Sequence, residues 1–242
     1  MSCYVFGDIH GCLAEVRYLI EQLPLEQSDR VVFLGDYIDR GPESKGVVCY
    51  LLELRNQGKV DTVFLKGNHE DMFLDYLGFP GNHGDVFLNN GGQATLRSYG
   101  ISEASFAGTE IVDQLPQAHL DFFRNLETFF VVEPYLCVHA GIQPLKKLEE
   151  QTSAEMYWIR GEFIRNPHKL PFTVLFGHTP HKEVLFDLPY KIGLDTGLVY
   201  GNKLSCFGIK EKALYQIKRG TKTVQKIPVH DKWNDKSMFR AP

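Results

Sequence analysis

Short apolar runs along this chain repeatedly end in the same way. Residues 3–6 run into GDIHGC, residues 31–34 into GDYIDRGP, and residues 63–65 into KGNHED. Helical apolar spacing follows each: over 13–23 ahead of Pro24, over 44–55, and through Phe73 and Leu77. This strand–loop–helix rhythm predicts an α/β layer architecture. The unbroken run VVFL suits a strand covered on both faces rather than one half open to water.

The rhythm breaks between residues 78 and 125. GFPGNHGD is rich in turn formers, NNGGQATLRSYG reads as a loop opening a short helix, and a further helix is expected near Pro116. We read this block as an insertion or cap over the strand ends. Strands are predicted again at 129–132, at 135–138 ahead of HAG and at 174–176 ahead of GHTP. Apolar runs at 192, 204–209 and 213–217 suggest a closing meander. From Lys218 onward seven Lys or Arg face two Asp, which predicts a solvated C-terminal extension. No linker divides the chain, so residues 1–242 are expected to form one domain.

Composition narrows the function classes. A chain of 242 residues suits one large α/β domain. The formal net charge of −4 argues against a general nucleic-acid binder, which carries a basic surface. The five cysteines (Cys3, Cys12, Cys49, Cys137, Cys206) are odd in number and form no CxxC pair. That predicts reduced thiols and a cytoplasmic protein. The start MSCYVFGD has neither the basic nor the apolar region of a signal peptide. No run approaches the roughly 18 apolar residues of a membrane span.

The chemistry sits where the apolar runs stop. Five of them end in Asp8 and His10, in Asp36, in Asn68 and His69, in His139, and in His178. In open α/β sheets, sites form beyond the carboxyl ends of the strands. Two carboxylates, an amide oxygen and three imidazoles make a mixed O/N donor set without thiolate, suited to two divalent metals. Asp36 is the natural bridge between them, since one carboxylate can serve two cations at once. Each motif alone also fits a plain structural turn; the conjunction of all five, in order, points to a site. The remaining histidines, His83, His119, His168, His181 and His230, carry no such signal, and Asp195 reads as structural.

GDIHG, GDYIDRG, GNHE, HAG and GH, in this order from Gly7 to His178, resemble the phosphoprotein phosphatase (PPP) family of metallophosphoesterases, in its bacterial or phage form. The resemblance implies a four-layer αββα sandwich of two mixed sheets, the calcineurin-like fold. It implies that Asp8, His10 and Asp36 hold one metal, while Asp36, Asn68, His139 and His178 hold the other. His69 matches the family's general acid and Asp39 the carboxylate that orients it. Arg40 and Arg160 match phosphate-binding arginines, with Asn68 beside them. The reaction implied is direct attack of a dimetal-bound hydroxide on phosphorus, with manganese, iron and zinc all suited to the ligands and manganese expected.

The intact Asp39 and Arg40 favour a protein serine/threonine phosphatase acting on phosphoprotein or phosphopeptide, with phosphotyrosine also open. GDIHGC and HAGIQP are also similar to motifs of diadenosine-tetraphosphate hydrolases, so a dinucleotide or other nucleotide substrate is the alternative. A dead scaffold would require a substituted ligand or acid, and none of these positions is substituted.

Overall fold

The computed structural model describes residues 1–102 and 109–233. β1 (Cys3–Phe6), β2 (Arg30–Phe33) and β3 (Asp61–Phe64) pair in parallel. An antiparallel meander of β9 (Lys203–Gly208), β10 (Ala213–Lys218) and β11 (Val224–Pro228) extends that sheet on the β1 side, in the order β11-β10-β9-β1-β2-β3. The second sheet has the order β4-β5-β6-β8-β7, from β4 (Phe129–Val132), β5 (Tyr135–Val138), β6 (Thr173–Phe176), β7 (Leu185–Asp187) and β8 (Lys191–Gly193). Both sheets are mixed.

Strand alternation builds the layers. Tyr4, Phe6, Val31 and Phe33 pack outward against α1 (Leu13–Gln22), α2 (Ser44–Gln57), α3 (Asn68–Tyr76) and α5 (Gln117–Arg124). Their neighbours Cys3, Val5, Val32 and Leu34 pack inward against Cys137, Leu175 and Ile192 of the second sheet. The outer face of that sheet, with Leu136, Val138, Val174 and Phe176, is covered by α6 (Ser153–Trp158) and α7 (Gly161–Arg165). The result is the αββα sandwich, and VVFL is covered on both faces as its composition predicts. Stacked rings of Phe6, Phe33 and Phe64, with centroids 4.9 and 5.3 Å apart, run across β1, β2 and β3. Each such pair adds about 0.5–1.5 kcal/mol beyond its buried area.

Four details differ from the sequence expectation. The helix after β3 begins on the GNHE motif itself, with Gly67 as N-cap, because Glu70 reaches back to the Gly67 N–H at 3.0 Å. Ile192 belongs to the second sheet and not to the closing meander. The short β7 carries no readable periodicity. Residues 224–228 are largely exposed, as expected of a solvated extension, but they pair as the edge strand β11 and are followed by buried Val229, with Trp233 stacked on Phe207 at 6.0 Å. An edge strand open to water on one side looks polar, which is why its sequence resembles an extension. Residues 234–242 lie outside the described residues.

The stretch between Leu77 and α5 folds as short 3-10 turns at Gly84–Val86, Leu88–Asn90 and Thr109–Gln114 and a helix α4 (Gly92–Ser98). Phe87 anchors it, buried against Phe73 and Tyr76 of α3. Residues 103–108 of the expected insertion lie outside the described residues.

Candidate metal centre

β1, β2 and β3 run parallel in one sheet, and β5 and β6 in the other. The loops at their carboxyl ends therefore converge, and the two sheets are tied there by His139, whose Nδ1 lies 2.9 Å from the Leu34 carbonyl. The local backbone is unusual. Of the seven non-glycine residues with positive φ among the described residues, five are site residues: His10, Asp36, Asp39, Arg40 and His178. Such conformations are held only where the surroundings over-determine them, and they concentrate at functional sites. Close approach also fixes the neighbouring glycines. A Cβ on Gly177 would stand 2.1 Å from Asp8 Oδ1, and one on Gly67 2.2 Å from Asp36 Oδ1.

Asp36 is the centre. His10 Nε2 lies 3.4 Å from its Oδ2, and His139 Nε2 lies 3.3 Å from its Oδ1. Asn68 Oδ1 is 3.0 Å from His139 Nε2 and 2.7 Å from His178 Nδ1. Two three-residue groups can each hold a metal ion, His10–Asp36–His69 and Asp36–His139–His178, and Asp36 is common to both. Asp8 is buried beside them, but both its oxygens face the His178 backbone N–H, at 3.0 and 3.2 Å, and it belongs to neither group. His69 stands in its place, 4.0 Å from Asp36.

The protonation pattern tests whether this set fits cations. The Nδ1 atoms of His10 and His139 each face a carbonyl, of Ile38 at 2.7 Å and of Leu34, and so must donate. Burial pushes the pKa values of His10, His139 and His178 down, toward the neutral ring. A neutral ring that donates through Nδ1 presents a lone pair at Nε2, and these lone pairs point at oxygens of Asp36 and Asn68. His178 Nε2 is buried without a partner. Lone pairs converging on oxygen acceptors need a cation between them, so the residues fit metal binding. In this structure a guanidinium answers part of that need: Arg40 Nη1 lies 2.6 Å from His10 Nε2.

The carboxylates sharpen the point. Burial alone would raise Asp36, but the electrostatic pull of the surrounding imidazoles, His139 and His69 first, reverses this and lowers its pKa. Of those rings His69 is the one that can carry charge beside the neutral His10, His139 and His178. Asp8 is pushed well up by burial and by the neighbouring Asp195 and Asp36, and Asp195 itself is pushed up to about 6, mainly by burial. Three buried carboxyls in one crevice are an acidic trap that positive charge would relieve.

His69 differs from the other rings. Its Nδ1 donates to Asp39 Oδ2 at 2.6 Å. Burial would lower its pKa, but Asp36 and the Asp39 hydrogen bond raise it above the ordinary value. It is the imidazole of the site best able to carry a proton. Arg160, the residue ahead of α7, places Nη1 3.2 Å from the His178 carbonyl at the rim. All ten residues singled out in the sequence thus meet in one crevice.

The sequence profile of the calcineurin-like phosphoesterases matches residues 1–208. This chain belongs to that family. It is therefore a metallophosphoesterase, a hydrolase of a family with dinuclear divalent metal sites. It is 26% identical over 231 residues to the asymmetrical bis(5'-nucleosyl)-tetraphosphatase PrpE of Bacillus thuringiensis subsp. konkukian (strain 97-27), covering 85% of this chain and 89% of that protein. Among solved structures, one provisionally assigned as a diadenosine tetraphosphatase aligns with a TM-score of 0.67 at 23% identity, covering 90% of this chain and 93% of that one. The cold-active protein-tyrosine phosphatase of a Shewanella species aligns with a TM-score of 0.59 at 17% identity, over 93% of this chain and 80% of that one. At these identities the structural likeness establishes the fold alone. Among the described residues, no helix is long and apolar enough to cross a membrane.

Two residues of this phosphoesterase escape a reading of the sequence. Glu70, buried in α3, accepts the backbone N–H groups of Asp36 at 2.9 Å and Tyr37 at 2.8 Å, and so fixes the turn that carries Asp36. Thr95 of α4 donates to Asp39 Oδ1 at 2.6 Å. The last E of GNHE is a visible signal for Glu70; nothing adjacent in sequence marks Thr95.

Proposed function

We propose that this phosphoesterase removes phosphate from monoesters with poor leaving groups, phosphoserine and phosphothreonine of proteins first and phosphotyrosine among them. The observation that carries the reading is the buried His69–Asp39 pair, at 2.6 Å. An alkoxide leaves phosphorus only with a proton, and an imidazolium oriented by a carboxylate is the group that supplies one. A nucleotide leaving group ends in phosphate oxygen and departs without that help.

Asp8, His10, Asp36, Asn68, His139 and His178 hold the cations in this reading. Two divalent ions bound by these residues would supply a water of lowered pKa and positive charge beside the phosphate oxygens. Arg40, beside His10, and Arg160, beside the His178 carbonyl, orient the phosphate by forked hydrogen bonds. Asp39 holds the His69 ring through Nδ1, leaving Nε2 to protonate the departing oxygen. We take manganese as the native metal ahead of iron and zinc, because the donors are oxygen and imidazole without thiolate. Residues 78–102 and 109–125 act as a cap, since the Gly91 carbonyl accepts the Arg40 N–H at 3.1 Å and Thr95 reaches Asp39. Five unpaired cysteines support a reducing, cytoplasmic setting.

The second reading is hydrolysis of dinucleoside polyphosphates, favoured by the full-length likeness to a bis(5'-nucleosyl)-tetraphosphatase. Comparing kcat/KM on a phosphoserine peptide and on diadenosine tetraphosphate, with each metal, separates the two. A higher value for the peptide is expected; a large preference for the dinucleotide would reverse the order.

A further inference from the structure

Tyr200 is 64% exposed, and it stands beside the crevice. The Arg40 guanidinium carbon lies 5.6 Å from its ring centroid, while the same guanidinium reaches His10. The ring is not on a loose loop. It ends a 3-10 turn, Leu198–Tyr200, that starts from a left-handed glycine, Gly197 (φ +68°), and is closed by another, Gly201 (φ +92°). Asp195 Oδ1 accepts the Gly197 N–H at 2.9 Å, Asn202 Nδ2 donates to the Thr196 carbonyl at 2.7 Å, and Leu198 is buried beneath. A large aromatic side chain left in water on a fixed turn is an ordering already made before any ligand arrives.

We propose that Tyr200 is a specificity-determining platform that stacks a flat aromatic group carried on the phosphate, aryl or nucleoside. The proposal rests on the reading of Arg40 as a phosphate-binding residue. A phosphate on Arg40 puts the group it carries next to the ring that Arg40 already touches. An anion joined to a π-face therefore matches a guanidinium joined to a phenol ring.

Binding to the manganese-loaded protein by calorimetry tests this without turnover. The probes are phenylphosphonate against methylphosphonate, and adenosine 5'-(α,β-methylene)diphosphate against methylenediphosphonate. The wild type is expected to bind at least one aromatic member about tenfold more tightly than its partner, within the range of one stacked ring. In Tyr200→Ala that ratio falls toward one, and in Tyr200→Trp it is kept. A loss confined to the phenyl pair assigns the platform to aryl esters, and one confined to the adenosine pair to nucleosides. An unchanged ratio in Tyr200→Ala, or no aromatic preference in the wild type, would overturn the platform while leaving the phosphate site intact. Failure of the wild type to bind methylphosphonate removes the Arg40 reading, and the platform falls with it.

Discussion

The Thr95 hydroxyl donates to Asp39 Oδ1 at 2.6 Å and accepts the Asp39 N–H at 2.8 Å, so a side chain from α4 fixes the carboxylate that holds His69. Asp39 has positive φ and is fully buried, which leaves it no solvent to satisfy the oxygen that His69 does not use. Replacing Thr95 with Val keeps the shape and removes the bond. We expect kcat on a phosphoserine peptide to fall about tenfold, the low end of the loss when a group that orients a site residue is removed. Turnover of p-nitrophenyl phosphate, whose leaving group needs no acid, should change little. Equal losses on both substrates would deny the link.

Metal removal should act on stability as well as on activity. Asp8, Asp36 and Asp195 are buried close together, and a cation relieves their mutual repulsion. Metal at about a hundred times its Kd stabilises by roughly 2.7 kcal/mol per site. For a chain of this size that corresponds to a rise in Tm of about 5–10 °C over EDTA-treated protein. Calorimetric melting with and without manganese checks it, and an unchanged Tm would contradict the assignment of these residues to cations.

Much of this arrangement is legible in the order of residues alone. The donors Asp8, His10, Asp36, Asn68, His69, His139 and His178 each follow a buried apolar run directly, so finding the strands finds the crevice. Asp39 and Arg40 come with them because they share the β2 loop. What stays hidden depends on contacts distant in sequence. Thr95 meets Asp39 across 56 positions, and Tyr200 reaches Arg40 from the far side of the chain. The side-by-side placement of His69 and Asp36, with Asp8 turned to the His178 N–H, is a matter of rotamer and φ that residue order does not carry. β7 and β11 are short or water-facing, and their patterns resemble loops.

Lys191 should prove structurally costly to lose. Its ammonium is fully buried and donates to the carbonyls of Phe163 and Asn166, at the end of α7, while also lying 4.6 Å from the Phe163 ring centroid. Lys191→Met leaves those carbonyls unsatisfied, so the urea midpoint should drop by the equivalent of about 3 kcal/mol. A midpoint within experimental scatter of the wild type would show that water replaces the ammonium without loss.

Stability should fall on mild acidification, partly through His168. Its Nε2 lies 2.7 Å from the Tyr190 carbonyl, and burial pushes its pKa below the ordinary value near 6.5. The unfolded chain therefore takes up the proton before the folded one does. The contribution is complete above about pH 6.5 and is lost progressively as pH falls toward the folded-state value. Denaturation measured between pH 7 and pH 5 should show a shallower decline for His168→Gln than for the wild type. Identical slopes would remove His168 from the account.

The proton supplied by His69 is the centre of the mechanism, and its dependence on the leaving group tests it most directly. kcat/KM would be measured for wild type and His69→Asn on a series of aryl and alkyl phosphates of rising leaving-group pKa. The wild type should vary little across the series. His69→Asn should fall progressively behind, by about a hundredfold or more on the poorest leaving groups, while nearly matching the wild type on p-nitrophenyl phosphate. Two parallel lines, with the same loss at every leaving group, would contradict a proton donated from His69.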